Sequence, residues 1–371
     1  MDTLKSAVAL MRPKCYMASI DLKHAYYSVP VYSEHHKFLK FAWKNTFYKY
    51  TCFANGLSPC PRKFTKLLKP VLSKLRCEGH EILSYIDDVY IKANSYHSCC
   101  QSVLASVKLF TKLGFVIHPE KSILTATKTL DFLGFQLNSD NMTVSLTPEK
   151  RLLIQKGFLY LLNVANPSIR CVCHVIGLLV AAFPGAMYGP LYYRSLERDK
   201  TLALKESSGD FDTGMCLSSQ AHKELSWWES NVDSSYSTLT HGDPSIFIDT
   251  DSSSLGWGAF NKSTGEKTGG EWLPTERSKH INFLELKAVF FALKSFCSHM
   301  QDTHIRFQID NVTAVAYIRE MGGSKSIDCN SITQEIWQYA KERNIWISSA
   351  HIPGKLNVVA DAESRKFDTE L

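Results

Sequence analysis

No Cys-x-x-Cys pair occurs anywhere in the chain, although it contains eleven cysteines. Spacings such as Cys99-Cys100 and Cys171-Val172-Cys173 match no thiolate zinc pattern, so a metal held by sulfur is not expected. An odd number of cysteines, in a long chain opening without a secretory leader, points to reduced thiols and an intracellular setting rather than a disulfide framework. Nor is there an uninterrupted membrane span. The run from His174 to Tyr193 carries no Asp, Glu, Lys or Arg, yet Gly177, Pro184, Gly185, Gly189 and Pro190 break it. A short buried helix followed by a turn is expected there, and no membrane partner. Repeats of fixed period and low-complexity tracts are absent too, which excludes solenoids and arrays.

What is present is a chain of 371 residues, 44% hydrophobic and 21% charged, a composition that buries a core. At about 100–200 residues per domain it holds two or three. The charge is unevenly distributed. The whole chain carries 42 − 36 = +6. Residues 1–145 hold 19 Lys/Arg against 10 Asp/Glu, net +9, which leaves 23 against 26, net −3, for residues 146–371. A basic first segment suits a nucleic-acid partner.

In that segment Cys15–Asp21 and Phe38–Trp43 are apolar or aromatic runs of strand length, and Pro59–Leu75 has helical apolar spacing. Ile82–Ile91 reads as a hairpin with Asp87-Asp88 at its tip, and Ser98–Leu113 as a helix stopped by Gly114. Thr147-Pro148-Glu149 is a helix start, and residues 148–204 look mainly helical. Ser/Gly/Asp-rich loops at 206–214 and 233–244 follow, the second a domain boundary. Beyond it, Ser245–Asp249, Gly256–Phe260 and Gly269–Leu273 are short strands. Asn282–Phe296 is an apolar helix, Ile305–Asp310 and Ile345–His351 are later strands, and helical patterns recur between and after them. Hairpin-linked strands followed by helix–strand repeats imply a mixed sheet covered by helices.

An adjacent Asp pair is ordinarily a solvated surface feature. Here Asp87 and Asp88 stand in Ser-Tyr-Ile-Asp-Asp-Val-Tyr-Ile, flanked by apolar strand residues, and Asp21 ends another strand. Carboxylates gathered within about 4 Å repel by roughly 4 kcal/mol per pair at an effective dielectric of 20, so such a cluster demands cations. Hard oxygen ligands favour Mg²⁺, and two such ions about 3.5–4 Å apart activate an attacking hydroxyl and stabilise a leaving pyrophosphate.

Ala18-Ser-Ile-Asp-Leu-Lys-His-Ala-Tyr-Tyr-Ser-Val-Pro30, Phe53-Ala-Asn-Gly-Leu-Ser-Pro-Cys-Pro-Arg-Lys-Phe64 and Tyr85-Ile-Asp-Asp88 resemble, in order, the first three palm motifs of reverse transcriptases. Leu113-Gly-Phe-Val-Ile-His-Pro-Glu-Lys-Ser122 and Phe132-Leu-Gly-Phe135 resemble the two that follow. By that resemblance Asp21, Asp87 and Asp88 are catalytic metal ligands. Tyr26 would pack on the sugar of the incoming nucleotide and reject a 2′-hydroxyl, although on its own it reads equally as a core aromatic. Asn55 and Gly56 would line the nucleotide pocket, or form a polar turn, and Lys121 would approach the triphosphate, or stay solvated. His24 stands where the family commonly has an acid. The family's basic fingers region before the first motif has only about twenty residues here, so a chain truncated at that end is expected.

Farther on, Ile246-Phe-Ile-Asp-Thr-Asp-Ser-Ser-Ser-Leu-Gly-Trp-Gly-Ala259 puts acids at a strand end, and Glu285, Asp310 and Asp361 lie at later helix or strand-end positions. Residues 245–366 resemble ribonuclease H. That resemblance makes Asp251, Glu285, Asp310 and Asp361 the ligands of a second pair of Mg²⁺ ions, with Mn²⁺ a substitute at either site, for attack of water on an RNA phosphodiester. Asp249 is the rival for the first position; Asp251 is preferred because Ser-Ser follows it. His351 would assist attack or product departure, or be structural. Asn357 would position Asp361, or cap its helix. Trp227-Trp228 would stack on bases or, as aromatic pairs more often do, fill a core.

The implied architecture is multidomain, α+β and α/β. A reverse-transcriptase palm with partial fingers spans residues 1–145, a helical thumb and connection 146–240, and a ribonuclease H-like domain with a mixed five-stranded sheet 241–371. The implied activity is primer extension by RNA-directed DNA polymerase coupled to ribonuclease H cleavage, in retrotransposon replication. The phrases His280-Ile-Asn-Phe-Leu-Glu285 and His351-Ile-Pro-Gly354 resemble most the DIRS-like, tyrosine-recombinase group. The partners implied are an RNA or DNA template with a DNA primer, RNA/DNA hybrid, deoxynucleoside triphosphates, and other segments of a polyprotein. The competing expectation is a truncated or domesticated element that only binds nucleic acid or keeps only the nuclease.

Overall fold

The computed structural model describes residues 2–366. The chain divides into two compact units, Met1–Lys150 with Tyr236–Leu239, and Arg151–Ser235 with Thr240–Leu371.

The first unit opens with a helix, Leu4–Leu10 (α1), capped by Thr3, and a strand, Tyr16–Lys23 (β1). A two-stranded ribbon, Lys40–Trp43 (β2) and Thr46–Lys49 (β3), precedes the helix Cys60–Cys77 (α2). The hairpin Glu81–Tyr85 (β4) and Asp88–Ala93 (β5) leads to the helix Tyr96–Lys112 (α3), whose Ser95 cap accepts from the Ser98 amide. Gly114 ends it with φ +83, a left-handed stop that glycine adopts freely. Val116–Ile117 (β6) and Ile123–Thr127 (β7) follow. The sheet order is β4-β5-β1-β6, with β7 sharing the free edge of β1. Alternate β1 residues Ala18, Ile20 and Leu22 pack on Phe64, Leu68, Leu72 and Leu75 of α2 and on Val103 and Phe110 of α3. The four α2 residues recur at helical spacing, the period that marked this helix in the sequence. A second antiparallel sheet joins Thr129–Phe132 (β8), Phe135–Asn138 (β9), Thr143–Leu146 (β10) and the late strand Tyr236–Thr238 (β11).

In the second unit the helices Pro148–Asn163 (α4, from Arg151 on), Ile169–Val180 (α5), Arg194–Glu206 (α6) and Ser219–Asn231 (α7) form a bundle. The uncharged run His174–Tyr193 is the end of α5 followed by two single turns, at Phe183–Gly185 and Gly189–Leu191. Among the described residues no helix is long and apolar enough to cross a membrane. Trp228 is fully buried and donates to the Tyr192 carbonyl, while Trp227 stacks on Tyr192 at 4.0 Å. Both serve as bundle core.

The rest of this unit runs Ile246–Ser252 (β12), Gly256–Asn261 (β13), Lys267–Glu271 (β14), Pro274–Arg277 (α8), Ile281–Cys297 (α9), His304–Ile309 (β15), Val312–Arg319 (α10), Ile327–Lys341 (α11), Trp346–His351 (β16) and Val358–Ser364 (α12). The sheet is β14-β13-β12-β15-β16, antiparallel on the hairpin side and parallel through β12-β15-β16, the mixed five-stranded sheet expected. α12 lies directly on β13, where a Cβ on Gly258 would come within 2.2 Å of the Ala360 carbonyl oxygen.

Within the segment 146–240, residues 151–235 fall in the second unit and Tyr236–Leu239 in the first. Its helices share the second unit with the five-stranded sheet, and β11 returns to pair with β10 in the first. Composition marks the loop at 233–244 but carries no record of that long-range pairing.

Candidate active sites

Asp21 and Asp88 are register partners on β1 and β5, so their Cα atoms face each other across the ladder. Asp87 occupies the two-residue loop between β4 and β5 with Ile86, and its carbonyl accepts from the Leu22 amide at 3.0 Å. The expected tip thus resolves differently: Asp87 is at the turn, whereas Asp88 begins the strand. Ile86 has φ +57, an unfavourable conformation for a β-branched residue. A positive φ at the first loop residue is what a tight two-residue hairpin requires. The turn holds the two acids beside Asp21.

Burial raises the pKa of Asp88 to about 6, helped by the charges of Asp87 and Asp21 and opposed by Lys121. Asp87 is raised for the same leading reason, with Asp21 adding and Lys121 subtracting. Lys121 is therefore close to both acids. The Asp21 amide donates to Ser122 Oγ at 3.0 Å, and its carbonyl accepts from the His118 amide at 2.8 Å, which ties this edge of β1 to the segment 118–122. Ser122 had no place among the expected site residues, although it closes the motif that contains Lys121.

Tyr26 is half-buried, edge-on to Phe64 at 5.9 Å, and its pKa is raised by burial and then by Asp87. It touches the core and faces the acids, so its two readings describe two ends of one side chain. Asn55 donates to Tyr27 Oη at 3.1 Å rather than to Tyr26. Gly56 follows with φ +84 and open space where a side chain would stand. His24 also has positive φ, +58.

In the second unit, single oxygens of Asp251, Glu285 and Asp310 lie within 4.8 Å of one another. The parallel pairing of β12 and β15 ends at Thr250 opposite Ile309, so the next residues, Asp251 and Asp310, emerge side by side at the carboxyl edge of the sheet. α9 brings Glu285 over that edge, where it is buried. Burial, then the charges of Asp251 and Asp310, push the Glu285 carboxyl up to about 9. Asp251 rises to about 6, chiefly through burial, with Asp310 and Asp361 adding to it. Asp361 is near enough to act on Asp251 but lies outside the tight trio, and its Oδ1 accepts from Arg365 Nε at 2.7 Å.

Asp249 is held away from the trio by Lys262, 2.8 Å from its Oδ2. Alternation along the strand placed both acids on one face, but Lys262, on the adjoining strand end, claims the first. Ser364 Oγ donates to Asp251 Oδ2 at 2.6 Å. Ser364 and Arg365 follow Asp361 at helical spacing, a signal legible in Asp361-Ala-Glu-Ser-Arg365. Asn357 makes no helix-cap bond; fully buried, it donates to the Thr250 carbonyl at 2.9 Å and so pins α12 beside Asp251. His351 ends β16 exposed, with Nε2 3.1 Å from the Asp310 carbonyl oxygen.

The second trio fits a hard divalent cation. Its donors are all carboxylate oxygens, and Glu285 Oε2 is buried without a hydrogen-bond partner. Burial favours protonation of Glu285 and Asp251, a cost that is relieved when a cation takes the place of the protons.

Residues 1–137 match the family model for reverse transcriptase (RNA-dependent DNA polymerase). The match identifies a reverse transcriptase domain there, of the kind carried by retroviral and retroelement polyproteins. The chain is similar to the Pro-Pol polyprotein of feline foamy virus, at 26% identity over 178 residues, 46% of this chain and 15% of that protein. It thus spans about one seventh of that relative. A foamy viral protease-reverse transcriptase in complex with double-stranded DNA shares the fold at TM-score 0.51 and 17% identity, covering 94% of this chain and 71% of the other. The same viral protein in complex with RNA/DNA hybrid gives TM-score 0.50 and 16% identity, over 92% and 44%. The fold is that of a reverse-transcriptase palm with a ribonuclease H-like domain.

Proposed function

We propose that the chain is an RNA-directed DNA polymerase coupled to a ribonuclease H. The palm spans residues 1–145, the helical thumb and connection 146–240, and the nuclease 241–371. The observation that carries the polymerase reading is the facing of Asp21 and Asp88, with Asp87 at the turn, inside the segment that matches the reverse transcriptase family. Asp21, Asp87 and Asp88 would hold two Mg²⁺ ions, and Asp251, Glu285, Asp310 and Asp361 two more. When bound, such ions supply charge neutralisation and an activated hydroxyl or water. The protein's part is to aim the oxygens. Lys121 offsets charge beside Asp87 and Asp88, and Tyr26 would exclude a 2′-hydroxyl. Asn55 and Gly56 would border the nucleotide, and His351 would serve the nuclease edge.

The substrates would be a DNA primer on an RNA or DNA template, deoxynucleoside triphosphates and the RNA strand of a hybrid. The setting would be an intracellular retrotransposon polyprotein of the DIRS-like group. Duplex contacts would be mostly to phosphates, in keeping with the basic first segment. A nuclease acting alone is the second reading, favoured by the compact trio of Asp251, Glu285 and Asp310.

The test is primer extension and hybrid cleavage by the purified chain with Mg²⁺, beside Asp87→Asn and Asp310→Asn. Each substitution should remove one activity and spare the other. Extension that survives Asp87→Asn refutes the palm assignment, and cleavage without extension in the unsubstituted chain selects the nuclease alone.

A further inference from the structure

The second unit contains a cavity of about 440 Å³ that the two catalytic readings leave unused. Its walls come from the turn before α6 and from the Gly322-Gly323-Ser324-Lys325 loop that joins α10 to α11. Two cations line it. Arg194 lies over the Tyr193 ring at 4.5 Å and spends Nη2 on the Glu320 carbonyl at 3.0 Å; its Nε is buried without a partner, and among the described residues it has no carboxylate partner. Lys325 is exposed and, among the described residues, forms no ion pair. The acid at the rim, Glu320, is already bound by Arg319 Nε at 2.9 Å.

The loop is bare because the fold leaves no room for side chains. Gly322 has φ +117, and a Cβ there would lie 2.4 Å from Asn330 Oδ1. At Gly323 a Cβ would meet the Tyr317 ring at 2.7 Å. Both glycine amides are satisfied within the protein, by the Tyr317 carbonyl and by Asn330 Oδ1. The loop is therefore braced before anything binds, and it sets Lys325 beside Arg194 of α6, two cations without a carboxylate partner among the described residues, next to backbone that a bulky polyanion can approach closely.

We infer that this cavity is a second backbone-phosphate contact for the nucleic acid cleaved by the nuclease domain, with Arg194 and Lys325 as its charged ligands. The inference rests on the ribonuclease H reading. α10 connects the two places: it begins just after Asp310, at its Asn311 cap, and ends at the cavity. Eight helical residues span about 12 Å, which is three to four nucleotide steps along a duplex axis at about 3.4 Å each. A hybrid held at the trio would lay a phosphate of one strand over Lys325.

The test is binding of a fluorescent RNA/DNA hybrid, by anisotropy across a salt series, to the full chain carrying Asp310→Asn so that the hybrid stays intact. Against that background Lys325→Gln and Arg194→Gln should each lower the slope of log affinity against log salt by about one. Lys223→Gln, an exposed lysine on α7, should leave it unchanged. Because Lys325 is exposed, its substitution leaves the fold intact and the result interpretable even if Arg194→Gln unfolds. An unchanged slope for Lys325→Gln, in a chain that binds and whose parent cleaves, overturns the phosphate contact and leaves the nuclease standing. An equal fall with Lys223→Gln also overturns it, as charge loss without a site. A parent chain that neither binds nor cleaves hybrid refutes the nuclease reading and this inference together.

Discussion

Both units gather carboxylates at the end of a β-strand, but they hold them differently. In the first, the acids meet across an antiparallel ladder, and one depends on a tight turn with Ile86 in a left-handed conformation. Burial there lifts Asp88 to about 6. In the second, a parallel strand pair and a helix bring three acids within 4.8 Å, and burial lifts Glu285 to about 9. The second cluster is the more desolvated. The first has a phenol, Tyr26, and a cation, Lys121, close to its acids.

The sharpest way to break this comparison is to neutralise one ligand in each cluster. Asp310→Asn should cut hybrid cleavage by more than about 100-fold, beyond the ~10–100-fold typical of outer-shell changes, and leave extension within about twofold. Asp87→Asn should do the reverse, with both activities read from the same preparations.

A smaller effect on activity, with a clear one on stability, follows from Gly258→Ala. The added methyl would meet the Ala360 carbonyl, the Ser364 amide and Glu363 Cβ, all on α12, so α12 must shift. That overpacking should cost about 1–3 kcal/mol in denaturant unfolding of the second unit and carry Asp361 out of place. Cleavage should fall and extension persist; unchanged cleavage would show that Asp361 is dispensable.

Tyr26→Ala tests the open character of the palm. Incorporation of ribonucleotides relative to deoxyribonucleotides should rise by about 10–100-fold in single-nucleotide extension. No change would leave Tyr26 as a core residue alone.

The mildest test is the pH dependence of thermal unfolding in EDTA. Glu285 has a folded pKa of about 9 against an ordinary 4.5, so the metal-free folded state binds the extra proton. Stability from this group is full below about 4.5 and is lost as pH rises toward 9. Asp251 and Asp88, ordinarily 3.8, add losses that end near 6. Melting temperature should therefore fall from pH 5 to pH 9, and Glu285→Gln should flatten the part above pH 6. Divalent cation should restore stability at pH 8 in the unsubstituted chain more than in Glu285→Gln.

Much of this was legible before any coordinates. The apolar spacing of Phe64, Leu68, Leu72 and Leu75 marked α2, and the breaks at Pro184 and Pro190 marked the end of the α5 segment. The acids stood out because they sit at strand ends, at the turn between two strands or on an adjoining helix. The placement of Asp249 was not legible, because period-two alternation assigns a face but cannot see Lys262 arriving from the next strand. For Asn357 the spacing from Asp361 allowed a positioning role or a cap; it stands at the N-cap of α12, but its amide reaches Thr250, more than a hundred residues earlier, a partner no local pattern shows.

The amino-acid order by itself determined which segments are strands and helices, where the basic charge lies and which acids stand at strand ends, since these follow from local periodicity and turn chemistry. Only the tertiary structure decided which acids meet, that β11 returns to the first unit, and that Arg194 and Lys325 share a cavity. Those outcomes depend on pairings between residues far apart in the chain, and no local pattern records them.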